Sequence, residues 1–195
     1  MNWSDRLPSA AGVSLLEMLT TAAIVATVSV IMAPAAVGIV DNTRLGMAAR
    51  DVERELQFAR LKAVAANTTM RIRFDCPVVG QLRVVELIGT QQAPDGVKDP
   101  DTFSDRCDEA IFPFRPAGAD RLARPNNDGP IRYLQPNTTL TAQKTLEFWP
   151  NGTVHADAAV GSPWPLVGAA TITVTRKTRS KNITVNSFGK IQMDR

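Results

Sequence analysis

The hydrophobic positions along this chain change their rhythm twice. From Gly12 to Val40 they run almost without a break, and after Glu17 the 23 residues Met18 to Val40 carry no charged side chain. About 20 apolar residues take a helix across the hydrocarbon core of a bilayer. A helix in a soluble core seldom stays apolar on every face for so long. From Asp41 the pattern turns amphipathic. Leu45, Ala48, Val52, Leu56, Ala59 and Ala63 recur at steps of three and four, while Arg50, Asp51, Arg54 and Glu55 take other faces. This predicts one long helix over residues 14–66, with a core-facing stripe in its second half. The turn-like Asn67-Thr68 ends it.

Beyond residue 67 the rhythm shortens to a period of two. Met70 to Asp75, Gln81 to Ile88 and Leu146 into the turn Pro150-Asn151-Gly152 read as strands. Two alternating runs, residues 170–176 and 181–193, place Ile172 and Val174 with Ile183 and Val185 on one side. The short basic link between them predicts a hairpin. The segments Gln92 to Asp108 and Arg115 to Pro130, rich in Pro, Asp and Gly, read as loops. One long helix followed by many short strands is an α+β pattern.

Composition sharpens this only in places. The 195 residues allow one globular domain plus extras, and a net charge of +3 does not mark the whole chain as a nucleic-acid binder. Cys76 and Cys107 fit no CxxC or zinc spacing, and the lone His155 adds no ligand set. They are either a disulfide, if the domain lies outside the cytosol, or two unpaired cysteines. Asp99, Asp101, Asp105, Asp108 and Glu109 make an acidic loop without the spacing or glycine of an EF-hand, so a solvated loop is the reading. With no catalytic triad, metal cluster or phosphate-binding loop, neither an enzyme nor a cofactor is expected. Arg176, Lys177, Arg179 and Lys181, with Lys190 close behind, form a basic cluster. It is either a solvated hairpin tip or a contact for the phosphates of double-stranded DNA.

The apolar stretch admits three readings. A cleaved signal peptide would use the small residues Ala33-Pro34-Ala35. A plain membrane anchor explains the length but not Glu17, and ionisable residues inside a span usually have a task. The third reading rests on the string Gly12-Val13-Ser14-Leu15-Leu16-Glu17. It resembles the start of type IV prepilins and of the pseudopilins of type II secretion. The resemblance implies cleavage between Gly12 and Val13 by a prepilin peptidase and N-methylation of Val13. It also implies pairing of Glu17, the fifth mature residue, with the N-terminus of a neighbouring subunit. Such pairing would offset part of the cost of a carboxylate in hydrocarbon. Pro34 falls at the twenty-second mature position, where many pilins carry a helix-loosening proline.

Three further segments resemble the FimT/GspH branch of that family. They are residues 56–74, LQFARLKAVAANTTMRIRF, with an Ala-Arg pair ahead of the first strand; residues 148–154, FWPNGTV, with a Phe-x-Pro-x-Gly turn; and residues 183–192, ITVNSFGKIQ, with a Gly-basic step after an alternating run. The resemblance implies a type IV pilin-like α+β fold and a minor pilin or pseudopilin at or near a filament tip. Its partners would be other pilins in a helical filament, an inner-membrane assembly platform, and secreted cargo or DNA. The implied division is a leader over 1–12, an assembly half-helix over 13–40, an amphipathic half over 41–66 and a periplasmic β-rich domain over 67–195. The Gly-Arg-x-Arg motif of DNA-binding FimT proteins corresponds here to Gly189-Lys190-Ile191-Gln192, without either arginine. Charge counting opposes the periplasmic placement, with Arg44, Arg50 and Arg54 after the span and Arg6 before it. The leader resemblance and the cysteine pair favour it.

Overall fold

The computed structural model describes residues 12–87, 104–114, 127–142, 145–156 and 164–194. The expected leader up to residue 11, the far end of the second expected strand at Ile88, and Asp99 and Asp101 of the acidic loop lie outside them, as do the side chains of Pro34 and Asp105. Helix α1 is continuous over Leu15–Ala66. The chain divides at Asp41 into two units.

In the first unit the helix exposes its side chains on every face, including Leu15, Ile24, Val30, Ile31 and Ile39. This is the only described helix long and apolar enough to cross a membrane, and none of its most apolar window is buried.

In the second unit the expected stripe is the core. Leu45, Ala48, Ala49, Val52, Leu56, Ala59 and Ala63 are all buried. Four alanines on this face let the backbone approach the sheets closely, and each fully buried leucine contributes about 1.5–3 kcal/mol. The helix stops in a Schellman turn. Asn67 adopts a left-handed φ of 51°, and the amides of Asn67 and Thr68 donate to the carbonyls of Val64 and Ala63.

Among the described residues, nine strands follow. They are β1 (Met70–Phe74), β2 (Gln81–Glu86), β3 (Arg132–Tyr133), β4 (Thr138–Ala142), β5 (Leu146–Phe148), β6 (Val154–Ala156), β7 (Ala169–Arg176), β8 (Arg179–Asn186) and β9 (Ile191–Met193). They form two antiparallel sheets, of order β3-β2-β1-β5-β6 and β4-β7-β8-β9. Met70, Ile72, Leu82, Val84, Leu146 and Phe148 from the first sheet share one core with Leu140, Ile172, Val174, Ile183 and Val185 from the second. The β7–β8 hairpin turns at Lys177-Thr178, with Lys177 at a φ of 54°.

The closing run 181–193 is two strands rather than one. The chain reverses where the Gly189 amide donates to Asn186 and Gly189 takes a φ of +70°, a region that costs other residues about 1–2 kcal/mol. Strands β3 and β4 arise where no strand is expected. Of the two segments read as loops, residues 104–107 form a 3-10 turn. Residues 127–130 line the edge of β2, where the Gly129 amide donates to the Val84 carbonyl.

Candidate functional site

The sequence points first to the start of α1. Gly12, Val13 and Ser14 precede the helix, and Val13 is 64% exposed. A Cβ added to Gly12 would meet nothing within 4 Å. Among the described residues, nothing occupies the space that a side chain at this position would take. Glu17 stands in the first helical turn, where the positive end of the helix dipole favours a carboxylate. The hydroxyls that follow are turned inward on the backbone. Thr20 and Thr21 donate to the Glu17 carbonyl, Thr27 to Ala23 and Ser29 to Val25. Each hydroxyl of residues 15–40 thus has an internal acceptor, as an apolar phase demands. Glu17 is the remaining polar side chain of this half-helix without such an internal answer in its chemistry, because a carboxylate brings a charge and not a donor.

In the second unit, three stretches far apart in sequence meet at Arg60. The Arg60 guanidinium donates to the Phe188 carbonyl at 3.2 Å. It lies flat against Gly189, where a Cβ would fall 2.6 Å from Nε, and 3.9 Å from the Cβ position of Gly152. Asn186 holds the same turn, its side-chain oxygen accepting the amides of Phe188 and Lys190. The turn presents Phe188, 77% exposed, to solvent. Beside it runs an open groove of 570 Å³ between α1 and the β8–β9 turn, lined by Gln57, Arg60, Leu61, Val64, Gly189, Lys190 and Ile191. Sequence reasoning singles out all three motifs but not their convergence.

The outer face of the first sheet holds what the sequence reading misses. Alternation turns Arg71, Arg83, Glu147 and His155 away from the helix, yet all four are buried. Arg71 pairs with Glu147 at 2.6 Å and stacks on Trp164. His155 stacks on Trp149 and bonds the Trp164 carbonyl. Arg83 donates to the carbonyls of Gly129, Arg106 and Phe112. Arg106, itself buried, reaches the Glu86 carbonyl at 2.6 Å and Asp128 at 2.9 Å. Asp128 also accepts the Glu86 amide at 2.7 Å. Burial pushes the Asp128 carboxyl above its ordinary value, and Arg106 is the largest influence pulling it back.

Cys76 and Cys107 form a disulfide with Cα atoms 5.2 Å apart. Together with Arg83 it staples residues 106–112 onto the sheet. The signal for this cluster was the run of arginines at outward positions of two neighbouring strands, which water would otherwise have to solvate.

The basic hairpin is divided. Arg176 is 3% exposed and donates to the Pro136 carbonyl. Its place in an exposed phosphate-binding cluster is therefore corrected: it alternates in step with Ile172 and Val174 and shares their buried side. Lys177, Arg179 and Lys190 stay exposed, and Lys181 is half-buried. In the acidic loop Asp108 and Glu109 are exposed, Asp108 accepting the Ala110 amide and Glu109 the Ile131 amide. Among the described residues no cluster of three or more potential metal ligands occurs.

No family model matches this chain. It is 38% identical over 64 residues to type II secretion system protein H of Xanthomonas campestris pv. campestris, a match covering 33% of this chain and 38% of that relative. Among solved structures, it is similar to the type IV minor pilin FimU of Pseudomonas aeruginosa, at 14% identity and a TM-score of 0.48. That superposition covers 80% of this chain and 92% of FimU. The minor pseudopilin EpsH from the type 2 secretion system of Vibrio cholerae gives 11% identity and a TM-score of 0.45, over 77% and 96%.

Proposed function

We propose that this chain is a type IV pilin-like subunit, cut between Gly12 and Val13, N-methylated on Val13, and assembled through its first half-helix into a type IV pilus or a type II secretion pseudopilus. One observation carries the reading. A fully exposed apolar helix has answered each of its hydroxyls internally, yet keeps a carboxylate at Glu17, five residues into the proposed mature chain. Cleavage at Gly12 supplies the missing cation, a new α-amine at Val13. In a bundle of such helices, the amine of one subunit and Glu17 of another offset each other's desolvation and fix the stagger between subunits. The open surroundings of Gly12 support a glycine kept for a peptidase rather than for the fold. The partial match to a type II secretion protein points the same way.

In this reading the second unit lies in the periplasm, where its disulfide forms and persists, and the anchor sits in the inner membrane. The test is the mass of the mature N-terminus in the native host. N-methylated Val13 is expected. An intact Met1, or a terminus at Ala36 left by an ordinary signal peptidase, would remove the basis of the proposal.

A further inference from the structure

We infer that two surfaces of the second unit complement each other between copies of this chain: the groove beside Arg60 takes the stapled loop at residues 108–114 of the next copy. This goes beyond the filament reading, on which it rests for its purpose but not for its measurement. The groove has an aliphatic floor of Leu61, Val64 and Ile191, two cations, Arg60 and Lys190, and no acidic residue among the described residues that line it. Phe188 stands next to it on a turn held by Arg60 and Asn186.

The loop carries the opposite pattern. Asp108, Glu109, Ile111 and Phe114 are all exposed on a segment fixed by the disulfide and by Arg83. Each surface is ordered before contact, so little conformational freedom is lost on docking.

The two lie on different sides of the unit. The groove is flanked by the helix. The loop covers the opposite face of the first sheet, because Arg83 points away from the helix-facing Leu82 and Val84. A contact between unlike surfaces is heterologous. It repeats instead of closing as a two-fold pair, and so builds a chain or helical array. A symmetric groove-to-groove pair would set Arg60 and Lys190 against their own copies. Duplex DNA would answer the cations but leave the aliphatic floor uncovered.

The full-length chain in detergent micelles is the test material. A mixture of unlabelled and 15N-labelled chains is treated with a zero-length carbodiimide, and the expected product is a mixed-label cross-link from Lys190 to Asp108 or Glu109. Sedimentation is then compared for Lys190→Glu, Glu109→Lys and the double variant. Each single change is expected to weaken self-association about tenfold or more by setting like charges together, and the double variant to restore it. Unchanged cysteine oxidation and a single cooperative urea transition show that the variants fold, a small shift being expected in Glu109→Lys from the lost Ile131 amide bond. Three results overturn the inference: cross-links only between equivalent positions, association indifferent to both reversals, or a double variant no better than the singles. A salt-sensitive shift of duplex DNA that is lost in Lys190→Glu, without self-association, assigns the groove to nucleic acid instead. Any association through residues 13–40 is common to wild type and all three variants, so differences among them read the groove and the loop alone, and the two readings fail separately.

Discussion

Asp128→Ala is the sharpest perturbation of the globular unit. The wild-type carboxylate is 2% exposed, and its Oδ1 accepts the Glu86 amide at 2.7 Å and the Arg106 guanidinium at 2.9 Å. Alanine removes the acceptor of both bonds, leaving a buried N–H unpaired and a buried guanidinium without its counterion. Removing one partner of a buried pair costs about 3–5 kcal/mol, and the orphaned amide adds about 1 kcal/mol or more. The expected loss is about 4–6 kcal/mol. Asp128→Asn keeps the accepting oxygen and replaces Oδ2, which has no hydrogen-bond partner among the described residues and lies 3.9 Å from the Arg83 guanidinium. Its expected loss is less than half that of alanine, since the Glu86 amide and the Arg106 guanidinium both keep their acceptor. The assay is urea unfolding of the detergent-solubilised chain, followed by the fluorescence of Trp149 and Trp164.

The pH dependence has a fixed sign. The folded value of Asp128 is raised above 3.8, so the native state holds the proton more tightly than the unfolded chain. The stability it contributes is complete below 3.8 and is lost as pH rises through the raised folded value. Relative to Asp128→Asn, wild type therefore gains as pH falls through that window. An asparagine as damaging as alanine, or a gap that moves the other way on acidification, would show that the charge is favoured, and the argument from burial would fail.

Three other outcomes are expected. Gly189→Ala loses about 1–2 kcal/mol from its positive φ and more from the approach of its Cβ to Arg60 Nε at 2.6 Å and to the Gly152 carbonyl at 3.0 Å, whereas Gly152→Ala, also at positive φ but with Arg60 at an ordinary contact distance of 3.9 Å, shows only the backbone cost. A combined Gly189→Ala/Arg60→Ala variant is then less unstable than the two losses added, measured by the same urea midpoints. Replacing Cys76 and Cys107 by serine opens a link between residues 31 apart and lowers stability by about 2–4 kcal/mol, with wild type in reductant approaching the variant. Glu17→Ala leaves membrane insertion intact but reduces filament assembly, scored by fractionation and by shearing of surface filaments; normal assembly would remove the pairing role of Glu17.

What the sequence reveals follows from length and period. The helix and strands β7 and β8 are long enough for their rhythm to show, and the helical stripe named six of the positions that form the core. Strand β4 has a single large apolar residue, Leu140, and borrows its order from pairing with β7. Strand β3 is only two residues at an edge. Neither leaves a local pattern. Asp128 sits among Asn, Asp, Gly and Pro, a composition that reads as solvated loop, and only the tertiary position of Arg106 makes it a buried acceptor. Arg176 was legible: a period of two from Ile172 carries it to the buried face, and the charge of its neighbours obscured that. The start of the helix is readable because its chemistry is local. The groove is not, because Arg60 and Gly189 meet only when the fold closes.

The shared core also fixes an order of events. Residues 45–63 leave the ribosome early, but the strands that cover them include β7 and β8, which follow several seconds later at about 5–20 residues per second. The helical stripe has no complete partner until then. The apolar segment that precedes it is available to the bilayer from the start. The two sheets close around the helix only once β7 and β8 are made. Conditions that slow synthesis beyond residue 66 thus present an uncovered stripe to chaperones and proteases.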